Sequence, residues 1–167
     1  MLIRSEKQKD CEAVYAVNEK AFETSAEGKL VDILREQSQP VISLVCEESL
    51  DIVGHIMFSA VILSGHSELK LMGLAPMSVV PQHQLKGFGS ALVKTGLEQC
   101  RQLNYTGVVV LGHPRYYPRF GFSPASGFGI KSAYKVADEV FMAVELYAGA
   151  LSGKSGTISY HPVFNSV

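Results

Sequence analysis

Residues Lys70 to Arg101, KLMGLAPMSVVPQHQLKGFGSALVKTGLEQCR, constrain this chain more than any other stretch. Leu71 to Val80 is apolar on both faces and too short for a membrane span, which predicts an interior strand in a sheet covered on both sides. Pro81 ends that strand, since proline cannot donate to a ladder and pushes Val80 towards extended geometry. Gln82, His83, Gln84, Leu85 and Lys86 lead into Gly87 and Gly89, and Leu85, Phe88, Leu92 and Gly96 then recur at helical spacing. The predicted order is strand, glycine-bearing turn, helix.

That order has a chemical use. The first turn of a helix carries backbone N–H groups without intrahelical partners, together with the positive end of the macrodipole. Glycine at 87 and 89 lets anion oxygens approach those amides. From Leu69 through Leu97 there is no Asp or Glu, while Lys70, Lys86 and Lys94 are present, so nothing in the stretch repels a polyphosphate.

A second apolar strand, Gly107 to Leu111, is closed by Gly112, His113 and Pro114. RYYPRFGF then offers a short helical turn, followed by Phe120, Gly121 and Phe122 re-entering the core. The pattern V-x-P-x-x-Q-x-x-G-x-G at Val79 to Gly89, with Y-x-x-x-G-F at Tyr117 to Phe122 after a helix and a strand, resembles the signature of the GNAT superfamily of acetyl-CoA-dependent N-acetyltransferases. The chain looks like a bacterial-type single-domain member. As motif the resemblance covers about two dozen residues; as architecture it covers most of the chain.

The remainder is compatible with that reading. At 167 residues the chain suits one domain, 1–167, large enough to bury roughly 70% of its unfolded surface. A net charge of -1 gives no footprint for nucleic acid or an anionic membrane, so neither is an expected partner. The N-terminus lacks the long apolar core of a signal peptide, no run could span a bilayer, and a cytoplasmic protein is expected. Cys11, Cys46 and Cys100 are odd in number and far apart, which argues against a disulfide framework and a zinc cluster. The histidines show no metal-ligand spacing, and no metal is expected.

In chain order, Leu2 to Arg4 reads as a first strand, and Ser5 as the cap of a helix from about Glu6 to Phe22 with Val14, Val17 and Ala21 on its apolar stripe. A second helix, about Ala26 to Gln37, repeats the pattern with Leu30, Ile33 and Leu34. Val41 to Glu47 and Ile52 to Leu63 read as strands, with Gly54 a candidate bulge and His55 a hydrogen-bonded structural histidine. Together with the central strand they form an antiparallel meander. Residues Phe122 to Ile130 read as a loop, Asp138 to Tyr147 as a strand and Thr157 to Tyr160 as a last short strand. The segment from Gly149 to Ser155 superficially matches a phosphate-binding P-loop. It has three residues between its glycines instead of four, and Gly156 with Thr157-Ile158-Ser159 denies it a helix, so a nucleotide site there is rejected.

The resemblance implies a mixed α/β fold: a mostly antiparallel central sheet, helices on both faces, and a V-shaped splay between two parallel strands, here those ending at Val80 and Leu111. It implies acetyl-CoA as the acetyl donor substrate. Its pantetheine would run along backbone freed by a bulge around Met77, Ser78 and Val79, and its diphosphate would sit on the amides of Gln84, Leu85, Lys86, Gly87, Phe88, Gly89 and Ser90. Tyr117 occupies the family position of the general acid that protonates the leaving thiolate. The Asn that many members carry before that tyrosine is missing here, and His113 stands in the short connection instead. The family has no fixed base position, so Glu23, Glu27, Glu68 and His113 all stay candidates. The acceptor is a small-molecule or peptide amine of unspecified identity. Tail strand and apolar Phe141 to Leu146 offer surfaces for a homodimer. The alternative is an acyl-CoA-binding or sensing module without turnover.

Overall fold

The computed structural model describes residues 1–166, so Val167, the last residue of the expected domain, lies outside the described residues. The elements are β1 (Leu2–Ser5), α1 (Cys11–Phe22), α2 (Ala26–Gln37), β2 (Val41–Glu48), β3 (Asp51–Leu63), β4 (Leu71–Val79), α3 (Phe88–Gln102), β5 (Gly107–Leu111), β6 (Ser123–Pro124), β7 (Ile130–Ser132), β8 (Phe141–Glu145) and β9 (Gly156–Ser159), with short 3-10 turns between them. Among the described residues nine strands form one sheet, ordered β1-β2-β3-β4-β5-β8-β6, with β9 pairing β3 and β7. The strand pairs β1–β2, β2–β3, β5–β8, β6–β8 and β3–β9 are antiparallel, while β4–β5 and β7–β9 are parallel. This is the mixed, mostly antiparallel sheet expected from the sequence. The contacts gather the chain into two compact units: one of Met1–Ser59, Ala75–Gly96 and the residues from Pro162, the other of Ala60–Leu74 and Leu97–His161.

In the first unit, period-two alternation along β3 sends its residues to opposite faces. Met57 joins Val14, Leu30, Val31, Leu34 and Val45 in a core built with α1 and α2. On the other face a Cβ on Gly54 would touch Leu92, and one on Gly96 would collide with Phe58, so α3 packs there at close range. Helices therefore cover both faces. Gly28 is equally specific, because the ring of Tyr15 fills the place of its missing Cβ and brings α1 and α2 together. Cys46 pairs with Gly54 and Glu47 with Ile52, which leaves Val53 as the extra residue of a bulge one position before the expected Gly54. The Val53 carbonyl accepts the Val80 N–H at 2.9 Å.

Buried polar groups knit the same unit. Asn18 donates from Nδ2 to the Val14 carbonyl at 3.0 Å and to His55 Nδ1 at 3.2 Å. His55 Nδ1 is thus an acceptor, so its proton sits on Nε2 and is donated to Ser43 Oγ at 2.8 Å. Ser43 passes the chain on to Glu6 Oε2 at 2.8 Å, and Glu6 is paired with Arg35. His55 is the structural histidine that the sequence suggested. Burial, reinforced by the charge of Arg35, pushes its pKa down from 6.5 to about 3.

Ser5 does not cap a helix. It completes β1 opposite Leu44, and α1 begins only at Cys11. The chain is held here by Arg4, whose guanidinium donates to Asp10 at 2.7 Å and also grips Glu47, while Asp10 accepts the Lys7 N–H at 2.7 Å. That network outcompetes the weaker hydroxyl cap and delays the helix by one 3-10 turn, Gln8–Asp10. Leu85 also departs from its expected stripe. It stands fully exposed ahead of α3, since Gly87 at φ 88° is left-handed and a right-handed helix can start only after it.

The second unit surrounds Val61, Leu63, Leu71, Val109, Ala125, Ile130, Phe141, Ala143, Leu151 and Ile158. The segment expected to be a loop contributes two short strands: Ser123–Pro124 pairs with β8, and Ile130 starts β7. Proline is tolerated because β6 is an edge strand. Asp138–Val140 is a 3-10 turn that trims β8 to Phe141–Glu145. Phe141, Met142, Ala143, Val144 and Leu146 are buried within this unit, and β9 pairs with both β3 and β7. The rejected P-loop leads into β9 and not into a helix.

Candidate functional site

The parallel ladder of β4 and β5 joins Leu71 to Gly107, Met72 to Val108 and Gly73 to Val109, and there it ends, although β4 runs on to Val79 and β5 to Leu111. Beyond that end Pro76 stands inside β4, with no N–H to give a ladder. Beyond it Met77 is half-buried, and Ser78 and Val79 are buried. The Ser78 hydroxyl is buried without a hydrogen-bond partner.

After β4 the first unit builds an anion-facing turn. Pro81–His83 form a 3-10 turn, closed by the His83 N–H on the Val80 carbonyl at 2.9 Å. Gln84, Leu85, Lys86 and Gly87 are all exposed, and Phe88, Gly89 and Ser90 are half-buried. The Ala91 N–H reaches the Gly87 carbonyl at 3.1 Å and opens the regular helix, so the amides of Phe88 and Gly89 precede its first bond. A Cβ on Gly87 would meet nothing, so glycine is required there for its φ of 88° and for open space above the backbone. Two contacts escape the sequence. Gln84 Nε2 donates to the Val79 carbonyl at 2.9 Å, and His83 lies against Phe88 with ring centroids 5.8 Å apart.

In the second unit β5 delivers the chain to Gly112, His113 and the turn Tyr117–Phe120. Tyr117 is 8% exposed. Its ring is wedged among Tyr116 at 5.1 Å, Phe122 at 5.6 Å and Phe120 at 6.4 Å. A Cβ on Gly112 would collide with that ring, which makes this glycine the seat of the phenol and not merely the end of a strand. Burial, with a smaller contribution from Tyr116, pushes the Tyr117 phenol up from 10 to about 12. Burial thus makes this phenol a weaker acid than a solvated tyrosine.

The base candidates fall in different places. Glu23 is exposed at the left-handed end of α1, at φ 60°. Glu27 is half-buried in the first turn of α2 and accepts from Thr24 Oγ1 at 3.2 Å. The Glu68 side chain is 67% exposed, 3.8 Å from His66. His113 is exposed, and its carbonyl receives the N–H groups of Tyr116 at 3.1 Å and Tyr117 at 3.4 Å, which anchors the tyrosine turn. Among the described residues no group of three or more His, Cys, Asp or Glu is placed to hold a metal ion. None of their helices is long and apolar enough to cross a membrane.

Sheet order, a parallel ladder cut short, and a glycine turn feeding a helix together define an acyltransferase fold. Residues 2–125 match the acetyltransferase (GNAT) domain family, and the chain belongs to that family. It is 34% identical over 166 residues to the uncharacterized N-acetyltransferase YhbS of Escherichia coli, covering 99% of both chains. The crystal structure of that GNAT family N-acetyltransferase in complex with CoA superposes with a TM-score of 0.92 at 33% identity, covering 98% of this chain and 91% of the other. A GNAT family acetyltransferase from Brucella melitensis in complex with acetyl-CoA gives 0.81 at 32% identity, covering 98% and 97%.

Proposed function

We propose that this N-acetyltransferase, acting as a single domain in the cytoplasm, moves the acetyl group of acetyl-CoA directly to a primary amine of a small molecule or a peptide. The donor's diphosphate rests on the amides of Gln84, Leu85, Lys86, Gly87, Phe88, Gly89 and Ser90, and its pantetheine lies along Met77, Ser78 and Val79. The observation that carries this reading is the exposed turn ahead of α3, free of carboxylates and opened by a left-handed glycine. Relatives of similar length whose structures hold CoA and acetyl-CoA support it. The Val79 carbonyl already accepts one hydrogen bond, from Gln84.

In the reaction a neutral amine attacks the thioester carbonyl carbon and the C–N bond forms. Strand amides steady the developing oxyanion, then the C–S bond breaks. The ammonium proton leaves to a base, and Tyr117 gives its proton to the departing thiolate of CoA. The fixed placement of the Tyr117 ring against Gly112, Tyr116 and Phe122 supports that role. No homodimer is part of this proposal.

The test is thiol release from acetyl-CoA across a panel of amines. Tyr117→Phe should lower kcat on the order of 10²-fold with the KM for acetyl-CoA unchanged. Release unaffected by that change would remove Tyr117 from the chemistry. Acetyl-CoA binding without release to any amine would instead support the sensing module.

A further inference from the structure

We infer that the ring of Tyr160 sets the acyl length this protein accepts, holding it at acetyl; this deepens the donor reading above and rests on it. In that reading the diphosphate follows β4 and the pantetheine passes Val79, Ser78 and Met77, so the acyl end points back along the strand. Gly73 lies in that direction, and it is the last residue of β4 still paired with β5.

Gly73 has no side chain of its own to bound such a group. Its place is taken from outside: a Cβ there would lie 2.9 Å from Tyr160 Cε1 and 2.9 Å from Val61 Cγ1. Two ladders of the second unit bring Tyr160 to that spot. The β3–β9 pair joins Leu63 to Ile158 and Ile62 to Ser159, so the next step sets Tyr160 opposite Val61. The β7–β9 pair joins Ser132 to Ile158, and two steps on it sets Tyr160 beside Tyr134. There the two rings stack with centroids 5.7 Å apart. The Ala133 N–H donates to the Ile158 carbonyl at 3.0 Å and the Tyr134 N–H to Ser132 Oγ at 3.0 Å, which fixes the partner of the stack. Tyr160 also packs against the core of the second unit. A ring held by strand pairing, a stack and a core cannot swing aside at little cost, so each methylene added to the acyl group must displace packed atoms.

Isothermal titration calorimetry with CoA, acetyl-CoA and butyryl-CoA reads this wall without needing an acceptor. The wild-type protein should bind butyryl-CoA at least about tenfold more weakly than acetyl-CoA, the low end of what a misfitted methylene costs. Tyr160→Ala should bring the two within about threefold. Tyr160→Leu keeps apolar packing on Val61 but lacks the reach of the ring; it should narrow the ratio in the same direction, which covers poor folding of the alanine variant. Tyr160→Phe keeps the ring and should keep the wild-type ratio. Equal wild-type affinity for both thioesters, a ratio unmoved by Tyr160→Ala and Tyr160→Leu, or a ratio lost in Tyr160→Phe would overturn the inference. A wild-type protein that does not bind CoA at all refutes the donor reading itself, whereas CoA bound without acyl discrimination refutes only the wall.

Discussion

Replacing His55 by glutamine tests the buried polar chain of the first unit. The imidazole is fully buried, accepts from Asn18 at Nδ1 and donates from Nε2 to Ser43. A second ring proton would face the Asn18 amide donor, and burial and the Arg35 charge oppose it as well, so the pKa falls from 6.5 to about 3. Below pH 6.5 the unfolded chain binds a proton at this site that the folded chain refuses until about pH 3. The unfolded state then holds more protons, and stability falls on acidification. Between pH 7 and pH 4.5 this single group costs about 2 to 3 kcal/mol. Glutamine can also accept from Asn18 and donate to Ser43 but does not titrate. His55→Gln should cost about 1 to 2 kcal/mol at pH 7 through imperfect packing, then lose about 2 to 3 kcal/mol less than the wild type by pH 4.5. Urea denaturation followed by far-ultraviolet circular dichroism at four pH values measures both. Parallel stability curves for the two proteins would refute the buried, neutral imidazole.

Two further substitutions probe the seat of the phenol and the entry to α1. Gly112→Ala places a methyl group against the Tyr117 ring; kcat should fall about as far as in Tyr117→Phe, with a stability loss of about 1 to 3 kcal/mol, and an unchanged kcat would show that the ring position does not matter. Arg4→Ala strips Asp10 and Glu47 of their shared partner and should destabilise by about 3 kcal/mol in urea, whereas a loss below about 0.5 kcal/mol would mean that water replaces the guanidinium without penalty.

Much of the fold could be read from local chemistry. The bounds of α2 and β5 came out as expected, because hydrophobic periodicity and flanking breakers act over neighbouring residues. Expectations failed where a distant group intervened. Serine often caps a helix, but Arg4 reaches Glu47, 43 residues away, and fixes the entry to α1 differently from what Ser5 suggests. The segment from Phe122 to Ile130 looked like a loop because Pro and Gly broke its period, yet β8 and β9 supply ladder partners that no window around it contains.

The candidate site divides along the same line. Glycine at 87, the absence of acidic residues around it, and a tyrosine ahead of Gly121-Phe122 are properties of short segments, so the sequence by itself determined the family and the chemistry to seek. Sequence could not show that Gly112 seats the Tyr117 ring, that burial raises the pKa of its phenol, that Gln84 reaches back to β4, or that Asn18, His55, Ser43 and Glu6 form one directional chain. Those depend on which side chains exclude water from one another and on single hydrogen bonds whose partners are chosen by packing. Only the tertiary structure decides them, because desolvation and hydrogen-bond geometry are properties of neighbours in space and not of neighbours in the chain.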